Sequence, residues 1–266
     1  MNAAFDIGVD GIGVWSPEFP DWNSARTALN ENVEIAPNVA ARPAPTLLPP
    51  TQARRAPETV LLAIEAAQQA CAMAQCQPRD LAHVFASAYG DLAINDYLCA
   101  TLARAPQELS PTRFHNSVHN APAGYWAIAS GCMRSSTAVS AGAATFGAAL
   151  LEAALLARAE SAPVLVVAYD IAATGALQDI VACRSRFAAA LVVAPPSSRA
   201  CARLQVRTRA GAPPLAPEPA LLHANHQDNP AARSLPLLAA LARRAATTLQ
   251  LAAGPQLILE MEIRFD

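Results

Sequence analysis

The sequence predicts an α/β protein in which a central sheet is covered by helices on both faces. Strand-like segments alternate along the chain with alanine-rich segments of helical periodicity. The central strand segments 81–88, 162–170 and 186–195 are apolar almost throughout, which is typical of strands buried on both faces. The 266 residues are 53% hydrophobic and 15% charged, so a substantial core can form.

The predicted elements follow one another in a regular order. The N-terminal half reads as a strand at 5–15, a helix at 21–30, a helix at 57–76, a strand at 81–88 and a helix at 94–105. A polar, turn-rich stretch at 110–124 leads into a helix, opened by Pro122, that continues through 125–131. A short strand at 135–142 and a helix at 144–159 follow. The rest reads as strands at 162–170, 186–195 and 202–209, a helix at 235–250 and a strand at 256–265.

Two proline-rich stretches interrupt this alternation. Residues 36–57 contain six prolines and form either an ordered loop or a flexible arm. Residues 210–233 are rich in proline and alanine and show little periodicity, so we expect an irregular loop there. We expect residues 1–266 to form a single domain that carries these two loops.

Composition excludes several classes of function. The net charge is −2 and lysine is absent, so a nucleic-acid partner or an anionic membrane surface is not expected. The N-terminus lacks the pattern of a signal peptide, and no uninterrupted apolar run reaches transmembrane length. The six cysteines show neither zinc-knuckle nor C-x-x-C spacing, which predicts free thiols in a reducing cytoplasm.

Two sequence motifs could indicate a cofactor-binding site or a metal site, and neither matches the pattern that such a site needs. Gly8, Gly11 and Gly13 follow the wrong order for a dinucleotide-binding loop, and no helix begins directly after them. His115 and His119 are four residues apart, but they lie in a loop rather than in a regular helix, so hydrogen bonding is favoured over metal binding. We therefore expect neither a cofactor nor a metal.

From about residue 80 to 194 the chain resembles the N-terminal half of the β-ketoacyl synthases, which have the thiolase fold. The strongest match is at 110–131, where Asn120-Ala121-Pro122-Ala123-Gly124 is similar to the family's N-x-x-A-G turn before a helix. The strand, alanine-rich helix and apolar strand that follow match the family's nucleophile region. The resemblance implies a thiolase-like half-fold, layered α-β-α with a mixed central sheet and truncated relative to a full ketosynthase.

The resemblance also locates a vacant nucleophile. The family's cysteine lies at a strand-to-helix turn, where the helix dipole and free N–H groups stabilise a thiolate. Counting from the flanking elements places that position at Ala143, and matching the local Thr-Ala-Cys pattern to Ser140-Ala141-Gly142 places it at Gly142. The chain also lacks the family's His-Gly-Thr-Gly-Thr loop, its second histidine loop and any lysine.

These departures imply a non-catalytic partner subunit. The resemblance is closest to the short chain-length-factor-like proteins of type II aryl polyene and polyketide systems, which pair with a full ketosynthase. Such a subunit completes the partner's acyl tunnel and sets product length, and it meets acyl carrier protein only indirectly. The residues that this resemblance assigns to the tunnel or the interface are Asn120, Ala121, Pro122, Tyr125, Trp126, Val139 and Ser140.

Three alternatives stay open. Tyr125 and Trp126 could simply pack in the core. The chain could be a minimal acyltransferase or thioesterase that uses Ser140 or Thr145, although no G-x-S-x-G elbow is present. It could also be a homodimeric scaffold. Cys132 and Cys183 are expected to be structural thiols.

Overall fold

The fold is built on an eight-stranded mixed sheet, seen in a computed structural model that describes residues 4–31, 35–38, 41–197, 199–212 and 226–265. The strands are β1 (Phe5–Trp15), β2 (Ala82–Ala86), β3 (Ser136–Val139), β4 (Val164–Asp170), β5 (Phe187–Ala194), β6 (Ala202–Ala210), β7 (Thr247–Gly254) and β8 (Leu257–Arg264). Their order across the sheet is β3-β2-β4-β5-β1-β6-β8-β7. Strands β3, β2 and β4 are parallel, and every other neighbouring pair is antiparallel.

Helices cover both faces of this sheet. The α-helices in the described residues are α1 (Trp22–Glu31), α2 (Pro50–Ala53), α3 (Glu58–Ala74), α4 (Leu92–Arg104), α5 (Pro111–Asn116), α6 (Ala121–Ser130), α7 (Thr145–Glu160) and α8 (Leu235–Arg243). Alternate residues of β4 enter two separate cores: Val166 belongs to the core that includes residues of α1, α7 and α8, and Val167 belongs to the core that includes residues of α3 and α6. The predicted thiolase-like α-β-α layering is therefore confirmed.

Glycine and alanine let α3 lie directly on β1. A Cβ atom added at Gly13 would come 2.0 Å from the Ala66 carbonyl oxygen, and one at Gly11 would come 2.1 Å from that of Ala70. These glycines permit close packing between a strand and a helix rather than the approach of a phosphate group.

Helix α7 is enclosed by the sheet. It packs against β4 on one side and against β7 on the other, so the C-terminal strands curl round to cover it. A Cβ at Gly147 would lie 2.1 Å from the Ala252 carbonyl oxygen of β7, which shows how closely the helix and the strand approach. Within the described residues, Gly142–Glu160 alone is long and apolar enough to cross a membrane, and half of its apolar window is buried inside the fold.

The C-terminal prediction was partly wrong. The helix predicted at 235–250 ends at Arg243, because Arg244 adopts a left-handed conformation (φ 49°) that terminates it. Residues 247–254 instead form β7, which makes a hairpin with β8. The β-branched pair Thr247 and Thr248 favours this strand.

The predicted loops contain short helices where the structure describes them. Helix α5 lies within the turn-rich stretch 110–124, and its first turn is capped by the Ser110 hydroxyl, which accepts from the Arg113 N–H. Helix α2 lies within the proline-rich stretch 36–57. Most of the irregular loop predicted at 210–233 falls at 213–225, outside the described residues.

Candidate functional site

The turn between β3 and α7 has the form of a nucleophile turn but carries no thiol. Gly142 is left-handed (φ 55°) and begins a short 3-10 helix, Gly142–Ala144, that leads into α7. The Thr145 hydroxyl closes the turn, since it donates to the Gly142 carbonyl at 2.7 Å and accepts from the Ala141 N–H at 2.9 Å. The exposed positions at the tip are Gly142 and Ala143, so both candidate positions lack a reactive side chain.

The hydroxyls at this turn are held by backbone groups. Ser140 donates to the Ala88 carbonyl at 3.1 Å, and Thr145 is engaged within the turn. A nucleophilic hydroxyl needs a base within hydrogen-bond distance, and the structure shows only backbone partners for these two. This geometry gives no support to the alternative that uses Ser140 or Thr145.

The cysteines near this region are structural. Cys132 is buried and its thiol donates to the Leu81 carbonyl at 3.2 Å. Burial raises the pKa of Cys183 to about 12, which keeps this thiol protonated and unreactive. Among the described residues, no group of histidine, cysteine and carboxylate side chains is arranged to hold a metal ion. His119 instead makes a hydrogen bond of 2.9 Å, through Nε2, to the Ser87 carbonyl.

Several of the predicted tunnel residues come together around one cavity. A cavity of about 440 Å³ is lined by Asn120, Ala121 and Tyr125, together with the exposed Ile128. Its wall is mainly apolar, and it opens at the N-terminal end of α6. Its size suits a ligand rather than isolated water molecules. The prediction that these three residues line an acyl tunnel stays a prediction.

Two of the predicted residues face the core instead. Trp126 is completely buried and packs on Phe85 with ring centroids 6.2 Å apart, and Pro122 is buried in the first turn of α6. Neither side chain lines this cavity, so the burial of Trp126 agrees with the alternative of core packing, and the assignment of the two residues to a tunnel or interface stays a prediction. Both side chains fix α6 on the sheet, because the helix is anchored by its apolar inner face.

Within the described residues, strand β3 pairs only with β2 and so leaves one edge of the sheet open. The His83 N–H donates to the Ser135 carbonyl and the Ser87 N–H donates to the Val139 carbonyl, so every second residue of β3 bonds to β2. Ser136 and Ala138 therefore direct their backbone groups toward the open edge. Val139 is half-buried against the core beside α7. An open edge of this kind is a template for pairing with another strand.

Exposed apolar side chains flank this open edge. Met133, directly before β3, is 94% exposed, and Ile128 on α6 is 76% exposed. Val118, on the same cavity as Ile128, is also exposed. We call Val118, Ile128, Met133 and strand β3 the β3-edge face. Apolar groups clustered beside an unpaired strand mark an interaction surface.

A buried carboxyl group lies at the carboxyl ends of β2 and β4. Asp170 Oδ1 accepts from the Ser87 hydroxyl at 2.7 Å and from the N–H groups of Ala88 and Tyr89 at 3.0 and 3.3 Å. Burial raises the pKa of Asp170 to about 7, against the opposing effect of these hydrogen bonds. The carboxyl group holds the turn that leads from β2 to α4. Sequence reasoning missed it, because a lone aspartate at a strand end carries no motif.

Comparison with known families decides the relationship of the chain. The sequence model described as the β-ketoacyl synthase N-terminal domain matches residues 22–254. The chain belongs to this family. In this β-ketoacyl synthase N-terminal domain protein, the turn at Ala141–Thr145, which the resemblance predicts to be the family's nucleophile turn, carries methyl, hydrogen and hydroxyl groups. No curated protein sequence matches the chain.

Solved structures with the same fold include chains of about the same length. A chain from the complex of the ketosynthase ApeO with its chain length factor ApeC from Xenorhabdus doucetiae matches with a TM-score of 0.74 and 22% identity, over 97% of this chain and 99% of that one. The ishigamide ketosynthase/chain length factor matches with a TM-score of 0.72 and 15% identity, over 98% and 99%. A β-ketoacyl synthase from Burkholderia phymatum matches with a TM-score of 0.61 and 12% identity, over 90% of this chain and 71% of that one.

Proposed function

We propose that the chain is a chain-length-factor subunit that forms a heterodimer with a complete ketosynthase in a type II fatty acid or polyketide system of the aryl polyene kind. The observation that carries the proposal is the β3-edge face, where an unpaired strand lies beside the exposed Ile128 and Met133. Two of the similar structures contain a ketosynthase with a chain length factor, which supports the same pairing. We further propose a cytoplasmic location and one domain over residues 1–266.

In this proposal the chain performs no condensation by itself. Condensation in the family needs a thiolate at the nucleophile turn, and Gly142 and Ala143 supply none. The chain also contains no lysine and no His-Gly-Thr-Gly-Thr loop. The bond-forming step therefore belongs to the partner ketosynthase, and acyl carrier protein delivers the acyl chain to that partner.

The second part of the proposal is that the cavity beside α6 extends the partner's acyl tunnel. Ala121 stands at the first position of α6 and contributes only a methyl group to the cavity wall. Asn120 and Tyr125 line the same cavity, and so do Val118 and Ile128 of the β3-edge face. A partner subunit that docks on the β3-edge face would cover Val118 and Ile128, and in this proposal it converts the cavity into the end of a tunnel.

Heterodimer formation tests the proposal directly. Met133→Glu should leave the isolated fold intact, because this side chain is almost fully exposed. It should weaken the complex about 10- to 100-fold, since burial of one methionine side chain contributes about 1.5–3 kcal/mol. Ala138→Pro should weaken it as well, because it removes an outward N–H, and proline is tolerated on edge strands. The measurement is co-purification with, and titration against, each ketosynthase of the same genome.

The matched control is Thr247→Glu, which places the same charge on the exposed strand β7 at the opposite edge of the sheet. It should bind the ketosynthase as the wild type does. If both β3 variants bind normally, or if mass photometry shows only a homodimer in the presence of every ketosynthase, the proposed pairing is wrong.

A further inference from the structure

Three side chains far apart in the sequence form a serine–histidine–carboxylate arrangement. His226 Nδ1 lies 2.9 Å from the Ser185 hydroxyl oxygen, and His226 Nε2 lies 3.0 Å from Glu18 Oε2. Sheet register explains the meeting, because β1 ends where the antiparallel β5 begins, with Trp15 opposite Ala188. Glu18 follows β1 and Ser185 precedes β5. Both residues therefore lie at the end of the sheet where β3 leads into the vacant nucleophile turn.

The hydrogen bonds orient these three side chains for proton transfer. Burial works to raise the pKa of Glu18, but hydrogen bonds from His226 and Ser16 hold it below its usual value, so the carboxylate is ionised. Its Oε2 accepts from the Ser16 hydroxyl at 2.6 Å as well as from His226. With the proton of the imidazole on Nε2 facing the carboxylate, Nδ1 is free to accept the proton of Ser185.

The histidine and the carboxylate of this arrangement are tightly packed, whereas its serine is more exposed. The side chains of His226 and Glu18 are 1% and 4% exposed, and the ring of Phe187 lies 5.2 Å from the imidazole, centroid to centroid. Ser185 is only half-buried and receives a further, longer contact of 3.4 Å from Asn229 Nδ2. A nucleophile needs this combination of a rigid base and an accessible oxygen.

A cavity gives a substrate access to this serine. Its volume is about 330 Å³, and Glu18, Ser185 and His226 all line it. Ile171 forms part of its apolar wall, and Arg186 lines it in an ion pair with Glu58 at 3.0 Å. The small volume suits a short acyl group.

We propose that Ser185 is the nucleophile of a second site, which takes a short acyl group from an activated ester or thioester. The Ser185 oxygen forms a bond to the acyl carbon, and the bond from that carbon to the leaving oxygen or sulfur breaks. His226 Nδ1 takes the serine proton and passes it to the leaving group, which departs as an alcohol or thiol. Water then attacks the acyl-serine, His226 takes its proton and returns it to Ser185, and a carboxylic acid is released. Glu18 acts as the positioning residue.

This inference goes beyond the proposed partner role and does not depend on it. The three residues could instead only tie the segment before α8 to the end of β1, and a measurement of chemistry separates the two roles. The full chain is incubated with a fluorophosphonate probe, with p-nitrophenyl acetate and with an acetyl thioester of N-acetylcysteamine. The two acetyl substrates distinguish ester from thioester turnover.

We expect the probe to label one residue, Ser185, and at least one acetyl substrate to be hydrolysed. Ser185→Ala should abolish both signals, whereas Ser135→Ala, at an exposed serine elsewhere, should change neither. His226→Gln should lower hydrolysis about 100-fold or more, since general base catalysis contributes at least that much. Glu18→Gln should lower the rate and change its pH profile, which a purely structural role would not do.

Ser185→Cys keeps the proposal testable if the alanine variant folds poorly. This variant should retain the melting temperature of the wild type and carry an acetyl group on residue 185 after exposure to the thioester, as seen by mass spectrometry. Absence of labelling and of hydrolysis in the wild type, or hydrolysis that persists unchanged in Ser185→Ala, would overturn the proposal.

Discussion

Replacement of Asp170 by asparagine isolates the effect of one buried carboxyl group on stability. Asparagine keeps the oxygen that accepts from Ser87, Ala88 and Tyr89 and replaces Oδ2 by an amide group. Within the described residues Oδ2 has no hydrogen-bond partner, and the nearby Ala231 N–H, which lowers the pKa of this carboxyl group, donates to Asn229 Oδ1. The variant therefore resembles the protonated carboxyl group at every pH.

The size of the effect follows from the pKa. Burial raises the pKa of Asp170 from 3.8 to about 7 in the folded state. Between these two values the folded state binds more protons than the unfolded state, so the free energy of unfolding falls as the pH rises. The difference of about 3 pKa units corresponds to about 4 kcal/mol. This stability is present below pH 4 and is lost by the time the pH exceeds 7.

Urea unfolding of both proteins at several pH values between 4 and 8 measures the effect. Other titrating groups are common to both and cancel in the difference. Relative to the wild type, Asp170→Asn should gain about 4 kcal/mol of unfolding free energy between pH 4 and pH 8. A constant offset between the two pH profiles would refute the reasoning, since Asp170 would then be ionised throughout this range in the folded protein.

Three further predictions concern packing, product length and chemistry. Gly147→Ala should lower the free energy of unfolding by several kcal/mol in urea, because the added Cβ meets the backbone of β7. The control Gly124→Ala in α6 meets nothing and should be neutral or slightly stabilising. Equal effects of the two substitutions would contradict the close packing of α7. Ala121→Phe should shorten the products of the reconstituted heterodimer without dissociating it, and unchanged products in an intact complex would remove Ala121 from the tunnel. Gly142→Cys and Ala143→Cys should not create condensing activity in the isolated chain, and measurable condensation by either would contradict the assignment of the chemistry to the partner.

The sequence was most informative where burial controls the choice of residues. The apolar segments 162–170 and 186–195 became β4 and β5, because strands covered on both faces have no polar positions. The C-terminus was harder, since the leucine spacing after residue 235 continues into 247–254 and no glycine announces the end of α8. Arg244 ends that helix in a left-handed conformation that sequence patterns rarely reveal.

The sites show a different limit. The N-x-x-A-G turn grouped Asn120, Ala121 and Tyr125, and these residues line one cavity because they lie within one helical turn and its entry. The sequence pattern could not show which side chains of α6 face the surface and which face the sheet. Trp126 was therefore predicted either to line the tunnel or interface or to pack in the core. The group of Glu18, Ser185 and His226 was invisible, since 208 and 41 positions separate the histidine from its two partners. Only the order of the strands in the folded sheet brings such residues together at one end of the sheet.

Two features of the described residues support the proposed association. The turn at Gly142 keeps its left-handed residue and its hydroxyl closure by Thr145, yet it presents no thiol. The strand that precedes this turn keeps an open edge with exposed apolar neighbours. A full synthase of the family is longer, and here β7 curls over α7 to bury that helix within one short chain. The chain buries α7 with its own strands and does not need a partner for that. Among the described residues β3 stays unpaired on its outer side, and it presents a surface to which a partner can bind. This combination supports the proposed pairing with a ketosynthase across the β3 edge.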